Sequence, residues 1–343
     1  MARTFSGTFL PANPSGAGHA DAGDCFSSRG RISCLPGLVN IGVQKAGTGE
    51  LQTWLSVHPR VTVHGGEAHF FDRTVHTSLA CSSRHRASLR LRYSRFLWRR
   101  RQLRATGLQG QLLYEKTPAY FDRVRPQHVQ CAVPSARLLV MLRLPAERAR
   151  SAYAMCQREL EATWCRDSFE VVLGRVLVVP SSAGGANGSL LAAPPHVSRR
   201  ALRREPHLKR MLLMGQYAVF LRRWLDAYSP AQLRVLWLEQ FKRDPFACMR
   251  DIEAFAGLPH HPYRSVARLN AAGLYVVGPS KSTYEKHSQP PGRASSAATP
   301  SSASSKAAAM ELVRAFYAPW QRRLATLLAE TNTTLVHEPP PPL

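Results

Sequence analysis

Acidic residues are scarce in this chain. Its 343 residues hold 22 aspartates and glutamates against 46 lysines and arginines, a formal charge of +24. Lysine is scarce too: seven of those 46 are lysine, so the excess is almost entirely arginine. Arginine suits planar anions such as phosphate, sulfate and carboxylate. Two partner classes follow, a nucleic acid or a polyanionic substrate such as a sulfated glycan. Alanine, proline and glycine are also abundant, as in a GC-rich coding sequence, which accounts for part of the arginine. The seven cysteines include no C-x-x-C pair, which argues against a zinc ribbon or a thioredoxin-like motif. No run of 18 apolar residues occurs, so no membrane anchor is visible. The N-terminus, MARTFSGTFLPANPSG, lacks the apolar stretch of a secretory leader. Neither G-x-x-x-x-G-K-[ST] nor G-x-G-x-x-G is present, which argues against a nucleotide kinase or a dinucleotide enzyme.

What is present centres on residues 38–58, LVNIGVQKAGTGELQTWLSVH. Leu38 to Val43 reads as a buried strand, Gln44 to Gly49 as a turn. Leu51, Trp54 and Leu55 then follow helical spacing. A strand, a glycine-containing turn and a helix N-terminus make an anion site, because the first backbone N–H groups of a helix lack intrahelical partners. Lys45 adds a positive charge. Thr48 is expected to cap the helix and to donate to a phosphate oxygen.

Further buried strands are predicted at Val61–Val63, Leu112–Glu115, Arg137–Leu142 and Leu233–Leu238, with helices between them. That alternation implies an α/β fold with a mostly parallel sheet. Functional side chains gather just past strand ends, where ligands bind in such sheets. Glu67 and His69 follow the second strand, Lys116 ends the third, and Arg143 follows the fourth, with Ser151 on the next helix. Residues 84–105 read as an arginine-laced surface helix. One long helix is expected from Leu208 to Tyr228, and another from Lys306 to Glu330.

Residues 1–36 look like an irregular arm and 37–330 like one domain. Flexible inserts are expected at 176–200 and 288–305, and a proline-rich tail at 331–343. Cys25 with Cys34, and Cys156 with Cys165, lie close enough for local disulfides. Sequons at Asn187 and Asn332, with the cysteines, permit a secretory lumen.

Taken together, IGVQKAGTGELQTWL, EAHFFD, YEKTPAYFD and RLLVMLRLPAERARSAY resemble the PAPS-dependent sulfotransferases of the Golgi carbohydrate branch. The second and third segments are similar to heparan sulfate 3-O-sulfotransferases and the N-sulfotransferase domain. GQYAVFLRRWLDAYSPAQLRVLWLEQF and LVRAFYAPWQRRLATLLAE are closer to the N-acetylgalactosamine 4-sulfate 6-O-sulfotransferase. The resemblance covers roughly 36–330, with gaps at 73–110, 165–205 and 260–290. It implies a P-loop-like α/β fold with helices flanking the sheet, and 3'-phosphoadenosine 5'-phosphosulfate (PAPS) as sulfuryl donor. It places Lys45, Ala46, Gly47, Thr48, Gly49 and Glu50 around the 5'-phosphosulfate. Arg143 and Ser151 fall on the 3'-phosphate, and Gly292 and Arg293 on a loop closing over it. Glu67 matches the proposed base, with His69 and Lys116 as active-site partners.

No metal is expected, since the two lysines do what a metal does elsewhere. The acceptor implied is an anionic glycan or another hydroxyl compound, and no nucleic acid is expected. A small alcohol or natural product as acceptor stays open, as does a non-catalytic polyanion or nucleic-acid binder. The resemblance implies a Golgi or secretory location, while the lack of a visible leader leaves the cytoplasm open. The chain departs from the family pattern at Leu144, where a polar residue is usual, and at Ala46.

Overall fold

The structure is a computed structural model, and it describes residues 21–28, 31–73, 81–98, 111–160, 163–180, 194–198, 203, 206–277 and 300–333. Its strands are β1 (Cys25–Ser28), β2 (Arg31–Cys34), β3 (Leu38–Gly42), β4 (Val61–Val63), β5 (Leu112–Lys116), β6 (Arg137–Leu142), β7 (Leu177–Val178), β8 (His196–Val197), β9 (Leu233–Trp237), β10 (Ala267–Leu269) and β11 (Tyr275–Val277). Where the sequence predicts one domain over 37–330, the chain divides into two compact units. One comprises 1–142, 221–290 and 331–338, the other 143–220, 291–330 and 339–343.

The first unit holds a five-stranded sheet of order β4-β5-β3-β6-β9, with every pairing parallel. All five predicted strands are there. β3 and β5 are buried along their whole length, the polar Asn40, Glu115 and Lys116 included. The chain leaves β3 towards β4 on one side and leaves β6 towards β9 on the other. The carboxyl ends of β3 and β6 are therefore the switch point where ligands bind in such sheets. Trp54, on the helix Thr48–Ser56, packs edge-on against Phe241 and Phe246 with ring centroids 5.7 Å apart. The helix Pro245–Ala256 is closed at both ends: Asp244 accepts from Ala247 N at 3.0 Å, and Gly257 takes the left-handed conformation at φ 70°.

Several expectations change. Residues 21–36 are not irregular, because β1 and β2 form an antiparallel hairpin closed by a Cys25–Cys34 disulfide. The basic segment is helical over Ser83–Trp98, and only part of it faces solvent. Arg90 is buried, and its Nε donates to the Ala132 carbonyl at 2.9 Å. Residues 1–20, 99–105, Asn187 and 334–343 lie outside the described residues.

The second unit packs the helices Pro145–Met155, Phe169–Val176, Pro206–Leu213 and Pro300–Thr331 around Tyr153, Leu173, Leu212, Val313 and Tyr317. The single helix predicted from Leu208 to Tyr228 is two, ending at Leu213 and restarting at Tyr217. Gly215 sits at the break, and the Tyr317 ring fills the space a Cβ would need, 2.5 Å away. The Tyr317 hydroxyl donates to the Leu212 carbonyl at 2.7 Å, which fixes the ring there. The insert expected at 176–200 begins as helix to Val176 and pairs β7 with β8, while 181–193 lie outside the described residues. The insert expected at 288–305 is corrected at its end: residues 300–305 already belong to the final helix, whose alanine-rich run favours helix.

Three disulfides form: the two local pairs and Cys81–Cys131. Cys248 is buried and reduced. Cys81–Cys131 spans 50 residues, so the Cys81→Ala/Cys131→Ala pair is expected to lower stability by about 4 kcal/mol on the loop-entropy scale. Urea unfolding with and without the pair measures this, and an unchanged midpoint would contradict it.

Candidate active site

The loop after β3 is built to turn tightly. A Cβ on Gly42 would lie 2.6 Å from the Phe121 Cβ, so only glycine lets the loop leave the strand here. Lys45 has φ 71° and Gly47 φ 82°, both in the left-handed region. Gly47, not Thr48, is the N-cap, and it offers no side-chain cap bond. The expectation for Thr48 is corrected on conformational grounds, since a β-branched residue is strongly disfavoured at that φ. Thr48 is instead the first helical residue and is buried. The first intrahelical bond runs from Leu51 N to Gly47 O at 3.1 Å, so the N–H groups of Thr48, Gly49 and Glu50 stand ahead of the ladder. A Cβ on Gly49 would meet nothing within 4 Å, so this helix end is open on that side. A left-handed turn feeding a helix N-terminus fits an anionic phosphosulfate.

Within the 45–50 segment the Glu50 side chain is engaged inside the fold. It is buried and accepts from Trp54 Nε1 at 3.1 Å, and desolvation raises its pKa above the ordinary carboxylate value. Only its backbone N–H remains for an anion. Ala46 is wholly buried, so its role is confined to the backbone as well.

Strand register brings the other predicted groups to the same sheet edge. Asn40 of β3 pairs with Lys116 of β5, and Val63 of β4 pairs with Tyr114. Lys116 is mostly buried, and its Nζ donates to Glu67 Oε1 at 3.3 Å. The second Glu67 oxygen, Oε2, lies 3.1 Å from His69 Nε2. His69 Nδ1 lies 2.9 Å from Oδ2 of the buried Asp72. Glu67 thus joins a lysine and an imidazole while its side chain stays 39% exposed, which leaves room for an acceptor. Asp72 was quoted within EAHFFD but given no role. Its position three residues after His69, one helical turn on, was the available signal.

Beneath this cluster lies a group that sequence reasoning missed. Glu115 is fully buried, and desolvation pushes its pKa up to about 7. The folded state therefore holds this proton more tightly than the unfolded chain. Stability is expected to fall as pH rises from about 4.5 to about 7, by about 3 kcal/mol in total, and to level off above that. Unfolding of Glu115→Gln across the same window checks this. The variant should lose that part of the slope, and a slope equal to wild type would contradict it.

Arg143 and Ser151 belong to the second unit. Arg143 is half-buried, and its carbonyl accepts from the Tyr217 hydroxyl at 2.9 Å. Ser151 is half-buried on Pro145–Met155, a helix that starts after Leu144 with Pro145 in its first turn. Gly292 and Arg293 lie outside the described residues. Among the described residues no group of three or more His, Cys, Asp or Glu side chains is arranged to hold a metal. No described helix is long and apolar enough to cross a membrane.

No protein-family model matches the chain. Among curated proteins it is 31% identical over 225 residues to heparan sulfate glucosamine 3-O-sulfotransferase 3A1 of Mus musculus. That alignment covers 65% of this chain and 46% of the relative. It is 28% identical over 249 residues to the bifunctional heparan sulfate N-deacetylase/N-sulfotransferase 3 of Homo sapiens, covering 70% and 24%. Over these stretches the chain is similar to sulfotransferases. The chain spans about half the length of the 3-O-sulfotransferase it matches. A sulfotransferase from Alicyclobacillus acidocaldarius shares the fold, with a TM-score of 0.53 at 24% identity, covering 86% of this chain and 96% of that one. The five-stranded parallel sheet described above is thus the core of a sulfotransferase fold.

Proposed function

We propose that this chain transfers a sulfuryl group from PAPS to a hydroxyl or amine of an anionic glycan. The observation that carries the proposal is Glu67 held between Lys116 and His69, on a sheet edge in register with the Lys45 loop. The acceptor oxygen or nitrogen forms a bond to sulfur while the bond from sulfur to the donor's phosphate oxygen breaks. The acceptor's proton passes to Glu67, whose contacts with Lys116 and His69 leave its exposed side able to take it. His69, tied to Asp72 through its other nitrogen, holds the carboxylate in orientation. Negative charge builds on the departing phosphate, where Lys45, Lys116 and the helix N–H groups oppose it. As in phosphoryl transfer, positioning and electrostatics supply most of the rate. On family resemblance, Arg143 and Ser151 are assigned to the donor's 3'-phosphate.

The glycan reading rests on the relatives, whose names specify heparan sulfate, and on the arginine-rich surface. Three disulfides favour an oxidising compartment such as the secretory lumen. A panel of heparan sulfate, chondroitin sulfate, unsulfated glycans and small alcohols tests the acceptor class. Transfer to an anionic glycan is expected, and transfer to small alcohols alone would overturn it.

A further inference from the structure

The turn carrying Glu67 and His69 has an unusual support. His69 sits at φ 54°, a left-handed conformation that a non-glycine residue holds only when its surroundings enforce it. Four consecutive backbone N–H groups of this turn are captured by two buried hydroxyls. Thr117 Oγ1 accepts from Ala68 N at 3.0 Å and His69 N at 3.2 Å. The Tyr120 hydroxyl accepts from Phe70 N at 3.1 Å and Phe71 N at 3.5 Å. Thr117 turns its own proton to a buried carboxylate, donating to Glu115 Oε1 at 2.5 Å. Tyr93 donates to Glu115 Oε2 at 2.9 Å.

A hydroxyl has one proton to give and two lone pairs with which to accept. Thr117 uses all three, and Tyr120 accepts twice. Above its raised pKa the carboxylate is ionised and only accepts, so it fixes the direction of the Thr117 proton and aims the Thr117 lone pairs at the amides. Replace it with a group that also donates, and that hydroxyl is free to reverse. Glu115, Thr117, Tyr93 and Tyr120 are all essentially inaccessible to water, so no solvent competes for these bonds. Glu115 and Thr117 also flank Lys116 in sequence, so one strand end supplies both the lysine that grips Glu67 and the support of the turn that presents it.

We propose that Glu115 is a positioning residue, which acts through Thr117, beside the Tyr120 hydroxyl, to lock the 67–71 turn and so hold Glu67 and His69 in register with Lys116. Its catalytic consequence rests on the sulfuryl-transfer reading above, while its structural consequence does not. The buried Asp72, Tyr93 and Tyr120 are the titratable groups nearest the carboxylate, and all are acids, so none neutralises it.

The test uses Thr117→Val, Thr117→Ser, Tyr120→Phe and Glu115→Gln in the full chain, held at a pH above the raised pKa of Glu115 so that wild type carries the carboxylate, and read by amide hydrogen exchange over residues 64–73 and by steady-state kinetics. Thr117→Val and Glu115→Gln are expected to raise exchange at the turn by on the order of tenfold. They should lower kcat by at least about tenfold and leave donor KM within about twofold, since the fault is in positioning. Thr117→Ser keeps the hydroxyl and should keep both properties. If Thr117→Val does not fold, Tyr120→Phe, which retains the ring, carries the same expectation at Phe70 and Phe71. Exchange and kcat within about twofold of wild type in the valine and phenylalanine variants would overturn the proposal. So would a serine variant as impaired as the valine one, since packing rather than the hydroxyl would then be responsible. If wild type transfers no sulfuryl group, the functional reading fails, and the exchange measurement still decides whether Glu115 locks the turn.

Discussion

Lys45→Ala is expected to lower kcat by on the order of a hundredfold, about 3 kcal/mol of transition-state stabilisation, the scale of losing one donor to a developing anion. The reasoning starts at φ 71°. A lysine held in the left-handed region, two residues ahead of a left-handed glycine, belongs to a turn that feeds the N–H groups of Thr48–Ser56. Such a turn concentrates positive potential from backbone dipoles, and the ammonium adds a full charge to it. That charge matters most when the phosphate leaves, so the loss should fall on kcat as well as on donor KM. Arginine at this position restores charge but not the compact ammonium, and is expected to rescue activity only in part. Single-turnover kinetics with saturating donor checks the prediction. A rate within about fivefold of wild type would remove Lys45 from the chemistry.

Glu67→Gln carries the second large effect. Glutamine has the same shape and can still accept from Lys116 Nζ through its carbonyl oxygen, but it is no base. A general base contributes on the order of a hundredfold to ten-thousandfold, so turnover should fall by at least about a hundredfold. Affinity for 3'-phosphoadenosine 5'-phosphate should stay within about twofold, because the donor's phosphates are assigned to other residues. Calorimetry and a transfer assay on the same preparation separate the two. Near-normal turnover with intact binding would move the role of base to His69, the other group able to accept a proton in the cluster.

The sheet was legible because its central strands are mostly buried, which writes them as largely apolar runs with marked ends, such as LVNIG and RLLVML. From those ends the positions of Lys45, Glu67 and Lys116 followed. What was not legible depends on contacts far apart in sequence or on exact backbone angles. The helix break at Gly215 is enforced by Tyr317, on a helix a hundred residues later. The cap moved from Thr48 to Gly47 because the turn demands a positive φ. Glu50 belongs to the predicted anion loop, and only the fold shows its side chain bonded to Trp54 one helical turn along. Glu115 read as one more strand residue, and only the fold shows Thr117 joining it to the amides of Ala68 and His69. The hairpin at β1 and β2 was hidden by its shortness, although the Cys25 and Cys34 spacing pointed to a closed loop.

The central claim is that the Lys45 loop and the Glu67 cluster form the donor and transfer site of a sulfotransferase. Transfer of radiolabelled sulfate from PAPS, run on wild type and Lys45→Ala beside a binding titration with 3'-phosphoadenosine 5'-phosphate, tests it most directly. The account predicts label on an anionic glycan with wild type and nearly none with Lys45→Ala. Absence of transfer to every acceptor, together with no binding of 3'-phosphoadenosine 5'-phosphate, would contradict it.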